Sequence, residues 1–217
     1  MVITTILFDF GGVFTPSPFA AIRAGGKLLG HDPDEVADVI FGPYDRDTDH
    51  PWHRLERGEI ALADCHAQLI ALSRDRGMDF DPFEALKGMA GGARGEEPFV
   101  ACGIALRGEG YRTGLITNNV REFSDAWRSL IPVDELFEVV VDSCQVGMRK
   151  PDPRIFHLAL ELLDNADPNE TVFIDDFEGN IVAAEQLGMR GILVGDDRAA
   201  AVRELDALLV RDARPSQ

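Results

Sequence analysis

Five short apolar runs, each halted by polar residues or glycine, constrain the fold of this chain more than any other feature. Val2 to Phe8 stops at Asp9 and Gly11-Gly12. Arg112 to Thr117 stops at Asn118-Asn119, Glu138 to Val141 at Asp142-Ser143, Thr171 to Ile174 at Asp175-Asp176, and Gly191 to Val194 at Gly195-Asp196. Short runs rich in Val, Ile and Leu, bounded by turn residues, fit strands buried on both faces. Helical patterns lie between them. Pro98 to Glu109 carries Phe99, Cys102 and Leu106. Asp152-Pro153 is an N-cap with Pro at the first helical position, and it starts a segment with Ile155, Phe156, Ala159, Leu162 and Leu163 on one face. Gly179 to Leu187 ends at Gly188, a C-cap residue. This alternation predicts an α/β fold, a Rossmann-like parallel sheet with helices on both faces.

The rhythm breaks between Pro16 and Arg94. That stretch reads as several helices and no strand, for example Ala61 to Arg76 with Leu62, Cys65, Leu69 and Leu72. It is bounded by Thr15-Pro16-Ser17-Pro18 and by Gly91-Gly92-Ala93-Arg94-Gly95, both composed like hinges. The expected organisation is a core of residues 1–15 and 95–217 with an all-helical cap of residues 16–94 inserted after the first strand. Arg211 to Gln217 is expected to fray.

Charge narrows the function classes. Asp and Glu number 38 against 21 Lys and Arg, a formal net charge of −17. Such a chain is repelled by nucleic acid and by anionic lipid, so neither is an expected partner. A phosphate ligand would need local positive charge, including a metal. Cys65, Cys102 and Cys144 are dispersed and odd in number, which predicts no disulfide framework and a reducing, cytoplasmic setting. The apolar start is interrupted by Asp9 and preceded by no basic residue, unlike a signal peptide. No apolar run approaches the roughly 18 residues of a membrane span.

Ligands of open α/β sheets bind beyond the carboxyl ends of the strands. Collecting the strand-end residues gives Asp9, Thr117, Asn118, Lys150, Asp175 and Asp176. Asp9 and Asp176 are candidate magnesium carboxylates, because that ion takes oxygen ligands. Lys150 is a candidate to neutralise phosphate oxygens. Thr117 and the amides of Gly11 and Gly12 are candidate phosphate donors. Adjacent carboxylates such as Asp175-Asp176 repel each other unless a cation is near. Each feature alone is an ordinary turn or solvated charge; the inference rests on all four segments occurring in order.

These segments resemble the four motifs of the haloacid dehalogenase-like hydrolase superfamily: Leu7-Phe8-Asp9-Phe10-Gly11-Gly12-Val13, Leu115-Ile116-Thr117-Asn118, Arg149-Lys150-Pro151-Asp152-Pro153, and Phe173-Ile174-Asp175-Asp176 with Asn180. The match is to the first subfamily, with a helical cap after the first motif. Ser143 to Gly188 is particularly similar to the branch that holds the N-terminal phosphatase domain of soluble epoxide hydrolase and the hydrolase domain fused to acyl-CoA dehydrogenase-like proteins. The resemblance implies a phosphatase or phosphotransferase for a small phosphorylated metabolite. Asp9 would be the nucleophile, forming an aspartyl-phosphate. Magnesium would be held by Asp9, the Gly11 carbonyl and Asp176. Thr117, with Asn118, would bind phosphate, Asp175 would hold Lys150 or orient ligands, and Asn180 would brace the fourth loop. The cap would exclude water. The oligomeric state is left open between a monomer and a homodimer paired through a cap helix face.

One position departs from the pattern. Phosphatases of the family carry a second Asp two residues after the nucleophile, as general acid and base; here it is Gly11. General acid–base help contributes ~10²–10⁴-fold, so the expectation is a preference for good leaving groups such as aryl or acyl phosphates and slow breakdown of the intermediate. His50 and His53 are considered as substitutes but read more simply as core or surface histidines, and Arg46, Arg54 and Arg57 as solvated charges with Trp52 in the cap core. Two rival functions share the motifs: a metal-independent haloacid dehalogenase, and a phosphate-binding protein that has lost turnover.

Overall fold

The structure, a computed structural model, describes residues 2–86 and 98–212. Its sheet has five parallel strands: β1 (Thr5–Phe8), β2 (Arg112–Thr117), β3 (Val139–Asp142), β4 (Thr171–Asp175) and β5 (Arg190–Leu193), in the order β3-β2-β1-β4-β5. All four pairings are parallel, with Phe8 opposite Leu115 on one side and Ile174 on the other. The strand ends follow the sequence reading closely. β1 starts at Thr5 rather than Val2, because pairing to both neighbours begins there.

Alternation along the strands builds two cores. Ile6, Phe8, Leu115, Ile174 and Ile192 pack with Phe99 and Leu106 of one helix and with Leu205 and Leu209 of another. Leu7, Ile116, Val141 and Phe173 point the other way, onto Ile155, Phe156, Ala159, Ile181 and Ala184. Both faces are therefore covered, as long apolar strands require.

The helices are α1 (Pro18–Leu28), α2 (Pro33–Phe41), α3 (Pro51–Glu56), α4 (Leu62–Asp75), α5 (Pro82–Leu86), α6 (Pro98–Gly108), α7 (Ser124–Arg128), α8 (Val133–Leu136), α9 (Ser143–Val146), α10 (Pro153–Leu162), α11 (Glu178–Gln186) and α12 (Arg198–Asp212). Asp152 caps α10 by accepting from the Arg154 N–H, with Pro153 at the first helical position. One expected core contact on α10 is wrong. Leu162 is 51% exposed and Leu160 is buried instead. At 100° per residue, position 162 falls just outside one edge of the buried arc, about 20° beyond Ile155, while Leu160 forms its other edge. α12 extends to Asp212, and the remainder of the stretch expected to fray, 213–217, lies outside the described residues.

Among the described residues, 16–86 hold helices and no strand. α1–α5 share a separate apolar cluster that includes Ile22, Ile40, Phe41, Trp52, Leu55 and Leu69, and the core loop residue Val120 joins it. The glycine-rich hinge expected at 91–95 lies outside the described residues. None of the described helices is long and apolar enough to cross a membrane.

Candidate active site

The strand order reverses the chain between β1 and β4. From β1 the chain runs to β2 and β3 on one side, and β4 then opens the other side. Loops diverge at such a reversal and leave a crevice at the strand ends. Asp9 leaves β1 there, while Asp175 and Asp176 close β4. The Asp9 backbone N–H donates to the Ile174 carbonyl at 2.8 Å, which sets the height of Asp9 against β4. One oxygen from each of Asp9, Asp175 and Asp176 lies within 4.8 Å of the others.

Lys150 is wedged into this cluster. Its Nζ sits 2.6 Å from Asp9 Oδ1 and 2.8 Å from Asp175 Oδ2. Lys150 is 1% exposed and Asp9 8%. The Lys150 backbone is held as well. Asn118 Oδ1 accepts its N–H at 2.8 Å, and Asn118 Nδ2 donates to its carbonyl at 3.0 Å. Asp175 Oδ2 also accepts from Asn180 Nδ2 at 3.0 Å, and its Oδ1 accepts from the Phe177 N–H at 2.8 Å. Thr117 is buried at the end of β2, two residues past the Leu115 that pairs with Phe8.

The two glycines after Asp9 differ. Gly12 has φ +75°, the left-handed region, and a Cβ on it would fall inside the space of the Asp176 carboxyl group. Gly12 is therefore needed both for the turn and for the space Asp176 fills. At Gly11 a Cβ would meet only the Pro18 ring at 3.5 Å and Asp9 Oδ2 at 4.0 Å. Arg198, at the start of α12, closes the loop from outside. Its Nε donates to the Gly12 carbonyl at 3.1 Å and its Nη2 to the Thr15 carbonyl at 2.6 Å.

Three carboxyl groups face one ammonium. Burial raises the Asp9 pKa well above the usual carboxylate range; Lys150 draws it back, and Asp175 and Asp176 push it up. Asp176 is pushed up to about 7, by burial first and then by Asp175. Burial works against the Lys150 charge, but Asp175 and Asp9 outweigh it and the net shift is upward. The donors are all oxygen and the local charge is in negative surplus, so the residues fit a hard divalent cation. Both Asp175 oxygens are engaged by Lys150, Asn180 and Phe177, so of the three carboxylates Asp9 and Asp176 are the less occupied candidates to hold such a cation.

Most cap residues follow the simpler reading, but Arg57 does not: its side chain is only 9% exposed and is held by Asp47, Glu59 and the Thr48 carbonyl instead of being solvated. His53 is fully buried, and its Nδ1 accepts the Thr48 N–H at 3.1 Å. Burial, then the Arg149 charge, pulls its pKa down to about 3, and burial pulls His50 down to about 4. Arg54 pairs with Glu59, Arg46 is exposed, Arg57 pairs with Asp47 and Glu59, and Trp52 is in the cap core. Residues not singled out from sequence also gather here. The rings of Phe19, Tyr44 and Phe177 meet at centroid distances of 4.9 to 5.2 Å. Phe177 directly follows Asp176, and Phe19 follows the proline against Gly11. Only spacing from Asp176 could have flagged Phe177; Phe19 and Tyr44 carry no local signal.

The sequence profile of haloacid dehalogenase-like hydrolases matches residues 3–188. The chain is 34% identical to mouse acyl-CoA dehydrogenase family member 10 over 94% of its own length and 31% identical to mouse bifunctional epoxide hydrolase 2 over 95%. It spans only 19% and 39% of those two proteins. It is 28% identical to the sesquiterpene phosphatase astK of Aspergillus oryzae, covering 90% of this chain and 92% of the relative. A haloacid dehalogenase-family enzyme of Bacteroides thetaiotaomicron, crystallised with magnesium and inorganic phosphate, shares the fold at TM-score 0.62 and 23% identity, covering 90% of this chain and 96% of that one. With its motifs on one sheet edge and a profile match across most of its length, this chain belongs to the haloacid dehalogenase-like hydrolases.

Proposed function

We propose that the protein is a magnesium-dependent phosphatase for a small phosphoric monoester, with Asp9 as nucleophile. The observation that carries this reading is the Lys150 ammonium, buried 2.6 Å from Asp9 Oδ1 in a surplus of carboxylate. Such a cation beside a nucleophilic carboxylate favours an approaching phosphate dianion. An Asp9 oxygen forms the new bond to phosphorus. The bond to the leaving oxygen breaks and its electron pair leaves with that oxygen. Water then attacks the aspartyl-phosphate, releasing phosphate and restoring the carboxylate. Magnesium, held by Asp9, the Gly11 carbonyl and Asp176, supplies further charge neutralisation when bound. Lys150 and Thr117 bind the phosphoryl oxygens, with Asn118 and the amides of Gly11 and Gly12 in support. Asp175 holds Lys150 in place, and Asn180 braces Asp175.

Gly11 offers no proton to the leaving oxygen, so alcohols and phenols of low pKa are favoured. The rings of Phe19, Tyr44 and Phe177 favour an apolar or aromatic leaving group, a preference supported by the similarity to a sesquiterpene phosphatase. The helical unit of residues 16–94 would close over a core of 1–15 and 95–217. Cytoplasmic residence agrees with three free cysteines whose thiols are pushed up to about 11 or 12, chiefly by burial.

The test is phosphate release from 4-nitrophenyl phosphate with and without magnesium, for wild type and Asp9→Asn. Magnesium-dependent release lost in the variant supports the reading. Chloride release from 2-chloropropionate without magnesium would replace it with the dehalogenase reading. Phosphate binding without turnover would make the protein a sensor.

A further inference from the structure

A ring of buried polar contacts ties the helical layer to the backbone of Lys150. Glu56, the last residue of α3, is 2% exposed. Its Oε2 accepts from Arg149 Nε at 2.7 Å, and Arg149 is fully buried. Its Oε1 accepts from the Tyr44 hydroxyl at 2.7 Å. Tyr44 in turn accepts from Asn118 Nδ2 at 3.3 Å. The same Asn118 clamps the Lys150 N–H and carbonyl. Arg149 is peptide-bonded to Lys150, so the ring closes: Lys150, Asn118, Tyr44, Glu56, Arg149. The Arg149 guanidinium carbon also stacks 4.5 Å from the Tyr44 ring centre, and Arg149 Nη1 donates to the Arg46 carbonyl at 3.3 Å.

A desolvated ion pair with both partners inside is costly to break on one side only. Glu56 and Tyr44 come from the helical layer; Arg149, Asn118 and Lys150 come from loops at the sheet edge. The Glu56–Arg149 and Tyr44–Asn118 contacts that flank Lys150 therefore form only while the two layers are docked, whereas the Asn118 clamp on Lys150 lies within the sheet layer. None of Tyr44, Glu56 or Arg149 hydrogen-bonds to the Asp9–Asp175–Asp176 cluster; their routes to it are the Lys150 backbone and the Tyr44–Phe177 ring contact beside Asp176, and Tyr44→Phe leaves the second of these in place.

We propose that Tyr44, Glu56 and Arg149 are positioning residues that place the Lys150 ammonium only when the helical layer is seated on the sheet. Its catalytic half rests on the phosphatase reading above; its structural half does not. In this view an undocked layer leaves Lys150 with a loosened backbone and a misplaced charge. Turnover is then tied to enclosure of the substrate.

Tyr44→Phe keeps the ring and its aromatic neighbours but removes the hydroxyl that joins Glu56 to Asn118. Glu56→Gln keeps the shape and removes the charge facing Arg149. Amide hydrogen exchange by NMR reads the Lys150 N–H without any substrate. The expected result is exchange at Lys150 at least tenfold faster in both variants, with Phe8 and Ile174 in the sheet unchanged. On 4-nitrophenyl phosphate, kcat falls about tenfold while KM stays within twofold. Cys65→Ala removes a buried cap-core side chain that makes none of the ring's hydrogen bonds, and it serves as the structural control. Unchanged Lys150 exchange in both variants overturns the proposal. So does a kcat loss in Cys65→Ala equal to that in Tyr44→Phe. A wild type without phosphatase activity refutes the phosphatase reading instead, and the exchange measurement still decides whether the ring couples the layers.

Discussion

The Asp176 carboxyl group rests on the bare α-carbon of Gly12, so closely that a methyl group there would overlap its Cγ. Gly12→Ala must both strain a φ of +75° and displace Asp176. Non-glycine residues forced into such regions cost on the order of 1–3 kcal/mol. The expected outcome is a tenfold or greater rise in the magnesium concentration needed for half-maximal phosphate release. Magnesium activation at the wild-type concentration would detach Asp176 from metal binding.

Lys150→Met leaves the Asp9 and Asp175 carboxyls facing each other without their shared cation. Removing one partner of a buried ion pair costs about 3–5 kcal/mol. At roughly 2–4 °C per kcal/mol for a chain of this size, differential scanning calorimetry should show a clear drop in Tm in the presence of EDTA. Added magnesium should restore part of it by taking over charge neutralisation, while phosphate release stays abolished. No fall in Tm would mean that Lys150 and its carboxylates are not held as a charged buried pair.

Gly11 has room for a side chain, since its Cβ position is in ordinary contact with Pro18 and its φ is not in the left-handed region. Gly11→Asp should therefore fold and return a proton donor to the leaving oxygen. General acid–base groups contribute ~10²–10⁴-fold. The gain should appear with alkyl phosphates and be small with 4-nitrophenyl phosphate, whose leaving group needs no proton. An equal effect on both substrates would show that the introduced carboxyl group acts other than as an acid.

His50 and His53 make the protein acid-sensitive. Their folded pKa values, about 4 and about 3, lie below the unfolded value near 6.5. Below pH 6.5 the unfolded chain binds protons that the native rings refuse, so stability is complete above that pH and falls as pH drops towards 4. The loss is on the order of 2 kcal/mol for the fully buried His53 at pH 4–5, by the linkage relation. His53→Gln, which keeps an acceptor for the Thr48 N–H, should flatten the fall in Tm between pH 6.5 and 5. An unchanged slope would assign the acid sensitivity to other groups.

The strands were legible because a parallel sheet covered on both faces leaves uninterrupted apolar runs, and the polar residues that stop them form the crevice. Asp9, Asp175 and Asp176 could therefore be picked out at strand ends, whereas Lys150, eight residues past the end of β3, was reached only through the ordered set of four segments. Leu162 was misassigned because Leu160 to Leu163 offers three leucines and only the helical angle separates them. The Arg149–Glu56 pair was invisible for a different reason. Its partners are 93 residues apart, and each alone reads as a surface charge. Only burial, which is a property of the assembled chain, makes them a unit. The room that Gly12 leaves for Asp176 is likewise a tertiary fact, whereas its turn conformation was readable from composition.

The grip of Arg198 on the Gly12 and Thr15 carbonyls has a consequence in time. Arg198 lies 186 positions after Gly12, so the ribosome makes the Asp9 loop long before it makes the residue that fastens it. Nascent chains that expose Asp9 lack this clamp, which forms only once α12 has emerged.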